Sequence, residues 1–312
     1  MQRRLTDEPI KYDSVKALVK AVYGEDVSIT RTDSVAGGDI NLAYRVSLSC
    51  GENIFVKTNS VRNADFFTAE SEGLTALRTA GKIGVPRILG RGIDRRKGYS
   101  FLALEYIDSS PRIHLYWETF GHELAELHRT ETEELVKRET DGAGGGIYGF
   151  SGDNYIGDTP QNNHPAAKWT DFYRDCRLLP QITLAERYLS AQVRKKADRL
   201  LDHLDIYLRE PEFPSLLHGD LWSGNMLCGP DGKAWIIDPA VYVGDFEADL
   251  AMTQLFGSLP ERFYAAYSEV NPIDREGYRE RKKLYDLYHM LNHLNLFGTT
   301  YLGSVVGIIE AF

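Results

Sequence analysis

The stretch that decides the fold is HGDLWSGN, from His218 to Asn225, together with the apolar segment WIID that ends at Asp238. Residues 225–238 between them predict a β-hairpin, because two apolar runs flank the turn sequence GPDGK. Asp220 and Asn225 stand five residues apart, which is the D-x-x-x-x-N spacing of a phosphotransferase catalytic loop. Two unrelated loops could also carry these residues, but a hairpin between them is what a kinase scaffold requires.

The residue types in this pattern suit phosphoryl transfer. The reaction needs a carboxylate beside the attacking hydroxyl and oxygen ligands for a magnesium ion on the nucleotide phosphates. On one tight loop, Asp220 can serve the substrate while Asn225 binds the metal. Asp238, at a strand end, supplies a second metal ligand. The sequence therefore predicts an enzyme that uses ATP and Mg²⁺, with Asp220 as the catalytic residue.

The N-terminal half offers candidate phosphate-binding residues in the order in which a kinase places them. Lys57 ends a predicted strand and is placed like the lysine that binds the α- and β-phosphates, and Glu70 on the next helix is placed to pair with it. Alone, each could be an ordinary solvated side chain, and Glu72 is the rival for Glu70, although it is rotated away on the helix. A glycine-containing loop precedes the first clear strand, at the place of the loop that covers the phosphates in a kinase, although it could be a plain turn. Its cofactor-binding candidates are Gly37, Gly38, Asp39 and Asn41.

The hydrophobic pattern divides the chain into two lobes. Residues 1–106 are expected to form a strand-rich nucleotide-binding lobe, because residues 42–48 alternate in polarity and a single helix, 65–80, ends at a glycine. Residues 107–312 are expected to form a helical catalytic and substrate lobe. The sequence thus predicts an α+β, protein-kinase-like bilobal fold.

Within the second lobe, apolar residues recur at three- and four-residue steps over 113–127, 193–208 and 285–294, which predicts amphipathic helices. The glycine-rich stretch 141–165 lacks this pattern and is expected to be a long loop, functional or mobile.

Composition excludes several classes of function. The 312 residues carry 36 Lys and Arg against 45 Asp and Glu, a net charge of −9, which argues against nucleic acid or an anionic membrane as a partner. No window has the roughly 18 consecutive apolar residues of a membrane helix, and no signal peptide is expected. The three cysteines lie far apart without a CxxC motif, which predicts a cytoplasmic protein without a zinc site.

Several segments resemble the fructosamine kinase family, the ketosamine 3-kinases, over nearly the whole chain. Trp222 inside the catalytic loop and the DPAVY sequence after Asp238 separate this resemblance from generic aminoglycoside and choline kinases. The segments that carry it are HGDLWSGN, IIDPAVYVGDFEADLAMTQLFG, YIGDTPQNN, WTDFYRDCRLLPQITLAE and AGGDIN.

The resemblance implies a protein-kinase-like fold and phosphorylation of the 3-hydroxyl of ketosamines, which are fructosamine, ribulosamine or erythrulosamine adducts of small or protein-bound amines. Such a kinase reverses glycation. The resemblance also implies that adenine contacts the main chain at Glu105, Tyr106 and Ile107. The loop around Gly37 lacks the cysteine that some members carry, so a redox-linked dimer is not expected. The protein is expected to be a monomer or a weak homodimer.

Alternatives remain open at this point. The chain could be a small-molecule phosphotransferase of the aminoglycoside or choline kinase kind, or a pseudokinase that only binds. Trp222 is the candidate substrate-binding residue, facing the sugar, although it could be a core aromatic. Asp249 is expected to hydrogen-bond the catalytic-loop backbone, and His218 to hold that loop. His289 and His293 are four residues apart like a metal pair, but a partly buried helix face is the favoured interpretation.

Overall fold

The computed structural model describes residues 11–35, 41–137 and 146–312. Three of the predicted cofactor-binding residues, Gly37, Gly38 and Asp39, lie outside these ranges. No helix in the described ranges combines the length and apolar character needed to cross a membrane.

The N-terminal part is a twisted sheet that carries one long helix. Six strands of the described chain form it, in the spatial order Lys11–Tyr12, Ile88–Asp94, Tyr99–Glu105, Asn53–Ser60, Leu42–Leu48 and Ile29–Val35, and only the first two pair in parallel. The elements are β1 Lys11–Tyr12, α1 Val15–Tyr23, β2 Ile29–Val35, β3 Leu42–Leu48, β4 Asn53–Ser60, α2 Ala64–Ala80, β5 Ile88–Asp94 and β6 Tyr99–Glu105.

Two sequence predictions for this part are confirmed, and one is wrong, because the sheet carries a second helix, α1, where a single helix was expected. The alternating residues 42–48 form β3, and the predicted helix is α2. Gly81 ends α2 in the left-handed conformation (φ 65°) and donates its N–H to the carbonyl of Arg78, a geometry that glycine adopts at little cost.

The C-terminal part is mostly helical. Its described elements are α3 Tyr116–His128, β7 Asn154–Ile156, β8 Thr159–Gln161, α4 Trp169–Tyr173, α5 Leu179–Ala185, α6 Ala191–Asp202, α7 Leu204–Tyr207, β9 Ser215–Leu217, β10 Met226–Cys228, β11 Ala234–Ile236, β12 Tyr242–Gly244, α8 Glu247–Leu255, α9 Glu261–Val270, α10 Arg275–Phe297 and α11 Leu302–Ile309. A π-helical segment, Arg174–Leu178, joins α4 to α5.

Two predictions for this part need correction. The segment 193–208 is not one helix: α6 stops at Asp202, and α7 begins at Leu204. The stretch 141–165 is not loop throughout, because strands β7 and β8 pair antiparallel within it. The predicted catalytic hairpin is confirmed as β10 and β11.

The main hydrophobic core extends from the helical part into the sheet part. Phe67, Leu74 and Leu77 of α2 belong to the same buried cluster as the side chains of α3, α8 and α10. A second, smaller cluster fills the space between α1 and the other face of the sheet. Helix α2 is therefore packed on the core of the helical part as well as on the sheet.

Candidate active site

The catalytic-loop sequence His218–Asn225 connects β9 to β10 and brings its two key side chains together. The side-chain amide of Asn225 donates to the carbonyl of Asp220 over 2.9 Å and to its carboxylate over 3.0 Å. Burial raises the pKa of Asp220 to about 7, against the opposing effect of the Asn225 hydrogen bond. A carboxylate with that pKa can accept a proton near neutral pH.

One buried carboxylate, on α8, binds the backbone of the catalytic loop. The two oxygens of Asp249 accept the backbone N–H groups of His218, over 2.7 Å, and Gly219, over 2.8 Å, and His128 lies 3.2 Å away through Nε2. Burial alone would raise the pKa of Asp249, but these hydrogen bonds lower it below its usual value. The expectation that Asp249 bonds the loop backbone is confirmed.

The ring of His218 adds a second restraint. Its Nε2 bonds the carbonyl of Ile237 over 2.9 Å, and its Nδ1 accepts the backbone N–H of Asp220 over 3.3 Å. Burial lowers the pKa of His218, so the ring is neutral and donates at one nitrogen while it accepts at the other. The expectation that His218 holds the loop is confirmed.

Three distant segments meet at Lys57. Its ammonium lies 2.7 Å from Glu70 on α2 and 2.6 Å from Asp238, at the end of the catalytic hairpin. Desolvation alone would lower the pKa of Lys57, but the two carboxylates raise it above its usual value. Burial raises the pKa of Glu70, which makes its ionisation dependent on Lys57. The rival Glu72 is exposed, so the helical rotation identifies the partner of Lys57 correctly.

Asp238 has an unusual backbone. It has φ 56°, the positive value that non-glycine residues seldom adopt, and it is the only non-glycine residue with positive φ in the described chain. Such conformations cost about 1–3 kcal/mol and persist where the surrounding structure determines them. The carboxylate is thereby presented to Lys57 beside the loop that carries Asn225.

The donor set fits a magnesium ion shared with a nucleotide. Asn225 uses its amide nitrogen toward Asp220, and its amide oxygen is a ligand of the kind that Mg²⁺ prefers. Asp238 adds carboxylate oxygens and is partly exposed, at 39% of its side chain. A few protein oxygens completed by phosphates and water are the usual Mg²⁺ arrangement.

The remaining described candidates belong to the sheet part and to the segment that follows it. Asn41 accepts a hydrogen bond from the side chain of Asn59 over 2.7 Å. Glu105 ends β6, Tyr106 lies under the guanidinium of Arg45 at 4.8 Å, and Ile107 follows in a partly buried, non-helical segment.

Trp222 is not a core aromatic. Its side chain is 39% exposed and meets the ring of Phe256 edge-on at 6.2 Å. Phe256 in turn lies 4.9 Å from the ring of His293. His289 and His293 lie on a partly buried face of α10, as expected. Burial lowers the pKa of His289 to about 3, and the ring of His293 hydrogen-bonds the backbone carbonyl of His289.

The comparison with protein families decides the affiliation of the chain. The family described as fructosamine kinase matches residues 11–312. The chain belongs to the fructosamine kinase family. As a member of a kinase family it is a phosphotransferase that acts on a hydroxyl group. Kinase families of this kind take ATP as the phosphate donor and usually a divalent metal ion.

Relatives match nearly the whole length of the chain. A protein from Synechocystis named a probable ketoamine kinase is 38% identical over 95% of this chain and 94% of its own. The chloroplastic protein-ribulosamine 3-kinase of Arabidopsis thaliana is 37% identical over 93% of this chain and 84% of its own.

Solved structures establish the fold. A Thermobifida fusca protein assigned as a fructosamine-3-kinase superimposes with a TM-score of 0.78 at 33% identity, covering 96% of this chain and 98% of its own. The choline kinase LicA of Streptococcus pneumoniae gives a TM-score of 0.61 at 16% identity, with 96% and 98% covered. The predicted α+β, protein-kinase-like bilobal fold is confirmed.

Two residues that support the site in this family member were not identified from the sequence. Asn154 and Gln161, on the short strands β7 and β8, bond the carbonyls of Val241 and Ala240 just after Asp238. The sequence signal nearest to them is the run YIGDTPQNN, which contains Gln161 and directly follows Asn154, and which carries the family resemblance without suggesting a role.

Proposed function

We propose that the protein is a ketosamine 3-kinase, which transfers the γ-phosphoryl group of Mg-ATP to the 3-hydroxyl of a ketose attached to an amine. The observation that carries the proposal is the pairing of Asp220 with Asn225, together with the ion pairs that the buried Lys57 makes with Glu70 and Asp238. The relatives named ketoamine kinase and protein-ribulosamine 3-kinase support this choice of acceptor.

The residues divide the work in this proposal. Asp220 orients the 3-hydroxyl of the acceptor and takes its proton as the oxygen attacks phosphorus. Lys57, held by Glu70, binds the α- and β-phosphates. Asn225 and Asp238 are the metal ligands. Mg²⁺, when bound, neutralises charge on the phosphates.

The rest of the nucleotide is assigned to the N-terminal lobe. Adenine would contact the main chain of Glu105, Tyr106 and Ile107, and the phosphates would lie under the loop that contains Gly37, Gly38, Asp39 and Asn41. The division into lobes at residues 1–106 and 107–312 belongs to the same proposal. A cytoplasmic location and a monomeric or weakly dimeric state stay predictions.

The acceptor is assigned to the exposed side of the catalytic loop. Trp222 lies two residues from Asp220 and, with Phe256, offers exposed aromatic surface. The secondary amine of a ketosamine is cationic at neutral pH, and aromatic faces attract cations. A phosphate placed at C3, next to the C2 ketone, leaves after enolisation, so the product sheds its amine and the enzyme acts in deglycation.

A coupled ATP-consumption screen tests the proposal. The acceptors are fructosyl-, ribulosyl- and erythrulosyl-lysine, with kanamycin and choline as representatives of the alternative function. We expect turnover with the ketosamines and none above background in Asp220→Asn. Turnover of kanamycin or choline without any ketosamine would favour the alternative, and nucleotide binding without any turnover would indicate a pseudokinase.

A further inference from the structure

We propose that the hairpin of β7 and β8, residues 154–161, is a brace that fixes α2 at the position where Glu70 meets Lys57. In this proposal Tyr155 and Phe66 are positioning residues, which act through Glu70 and do not touch the substrates. The importance of the Lys57–Glu70 pair for catalysis rests on the proposed function, whereas the mechanical role of the hairpin does not.

The contacts on α2 flank Glu70 along one face of the helix. Phe66 precedes Glu70 by four residues and Gly73 follows it by three, spacings that place all three on the same side. The ring of Phe66 stacks on Tyr155 with 3.7 Å between centroids and 14° between planes. Gly73 packs on Val241 so closely that an added Cβ would lie 3.0 Å from its Cγ2. Glu70 therefore lies between two points of attachment to the helical lobe.

The hairpin is itself anchored to the chain that follows Asp238. The amide of Asn154 donates to the carbonyl of Val241 over 2.7 Å, and the amide of Gln161 donates to that of Ala240 over 3.1 Å. The hydroxyl of Tyr288, on α10, donates to Gln161 over 2.6 Å. Asn154 and Gln161 are buried, and buried networks with their groups satisfied are rigid.

These two sets of contacts join both partners of Lys57 to one support. Glu70 is tied to the hairpin through Phe66, one helical turn away, and Asp238 is tied to it through residues 240 and 241. The hairpin thus sets the distance between the two carboxylates that meet the same ammonium. Ion pairs of 2.6–2.7 Å leave little room for a displacement of α2.

Tyr155→Ala and Tyr155→Phe test the brace. The rings of Phe66 and Tyr155 are only partly buried, and the Tyr155 hydroxyl makes no hydrogen bond within the described residues. Phenylalanine at position 155 therefore keeps the stack on Phe66, whereas alanine removes it. Tyr207→Ala is the matched control, because it removes an aromatic pair with Phe312 that joins α7 to the C-terminus. The readouts are kcat, the KM of the acceptor, and hydrogen exchange of the amides in residues 64–73.

For Tyr155→Ala we expect kcat to fall about 3- to 10-fold and α2 exchange to speed up by a similar factor, which is what the loss of one aromatic stack gives. The acceptor KM should stay within about twofold, since no acceptor contact is removed. Tyr155→Phe and Tyr207→Ala should match the wild type in kcat and in α2 exchange.

Unchanged α2 exchange in Tyr155→Ala would overturn the brace, whatever happens to kcat. Equal loosening of α2 in the phenylalanine variant or in the control would also overturn it. If the wild-type protein turned over no ketosamine while Tyr155→Ala still loosened α2, the proposed function would fail and the brace would stand.

Discussion

Replacement of Asp249 by asparagine tests whether one buried carboxylate supports the catalytic loop. The carboxylate accepts hydrogen bonds from the backbones of His218 and Gly219 and contacts His128. Asparagine keeps one acceptor oxygen but turns an NH₂ group toward at least one of these donors. A buried donor left unpaired costs about 1–3 kcal/mol, and the other bonds lose their charge assistance, so we expect a total loss of about 3 kcal/mol.

A carboxyl just before α8, four residues from Asp249, supplies the control. Asp245 is also fully buried and accepts the hydroxyl of Tyr285 over 2.9 Å, but burial and the neighbouring Glu247 raise its pKa to about 7. A neutral amide is a closer substitute for this group, so Asp245→Asn should cost only about 1 kcal/mol.

The contributions of Asp249 and Asp245 to stability also depend on pH in opposite directions. The pKa of Asp249 is lowered by folding, so its contribution is present at neutral pH and is lost as the pH falls below the usual carboxyl range. The pKa of Asp245 is raised to about 7, so its contribution is present at acid pH and is lost as the pH rises toward 7.

The assay is urea unfolding followed by tryptophan fluorescence, together with kcat for a ketosamine. We expect Asp249→Asn to unfold at distinctly lower urea than Asp245→Asn at pH 6, where Asp245 is mostly protonated and Asp249 is ionised. At pH 7.5 we expect Asp249→Asn to lose about 10- to 100-fold in kcat, because small displacements of a catalytic group have effects of that size. A loss below about 1 kcal/mol, with kcat within about threefold of wild type, would refute the assigned role of Asp249.

Three further predictions follow from the site. Asp220→Asn should keep Mg-ATP binding and lose several orders of magnitude in turnover; a loss within about tenfold would mean that the catalytic residue is misassigned. Asp238→Ala should weaken Mg-ATP binding in calorimetry more than Asn225→Ala does, because a carboxylate contributes more than an amide to a divalent cation, and equal affinities would contradict the metal assignment. Gly73→Ala should lower the free energy of unfolding less in a Val241→Ala background than in the wild type, because its methyl would lie 3.0 Å from Val241 Cγ2; additive effects of the two substitutions in urea unfolding would mean that the close approach is unimportant.

Short-range patterns in the sequence predict several of the contacts that the structure shows in the candidate site. The spacing of Asp220 and Asn225 is local, and helical rotation distinguishes Glu70 from Glu72. The kinase-like order of the motifs predicts that Lys57 pairs with Glu70. It does not predict the ion pair of Lys57 with Asp238, which spans 181 residues and is visible only in the structure.

The hairpin 154–161 could not be predicted because its strands are three residues long and one contains Pro160, so no alternation is detectable. Arg177 shows a second limit of the sequence. It is fully buried, stacks over Tyr242 at 3.9 Å and bonds the side chain of Asn163, whereas an arginine in a sequence is usually assigned to the surface.

The position of the new phosphate tests the central claim most directly. Ribulosyl-lysine, Mg-ATP and the enzyme are mixed, and the product is examined by phosphorus–proton correlation NMR before it decomposes. The account predicts a phosphorus signal coupled to the proton on C3 of the sugar, followed by release of free lysine. A phosphate on another carbon, or a stable product that keeps its amine, would contradict it.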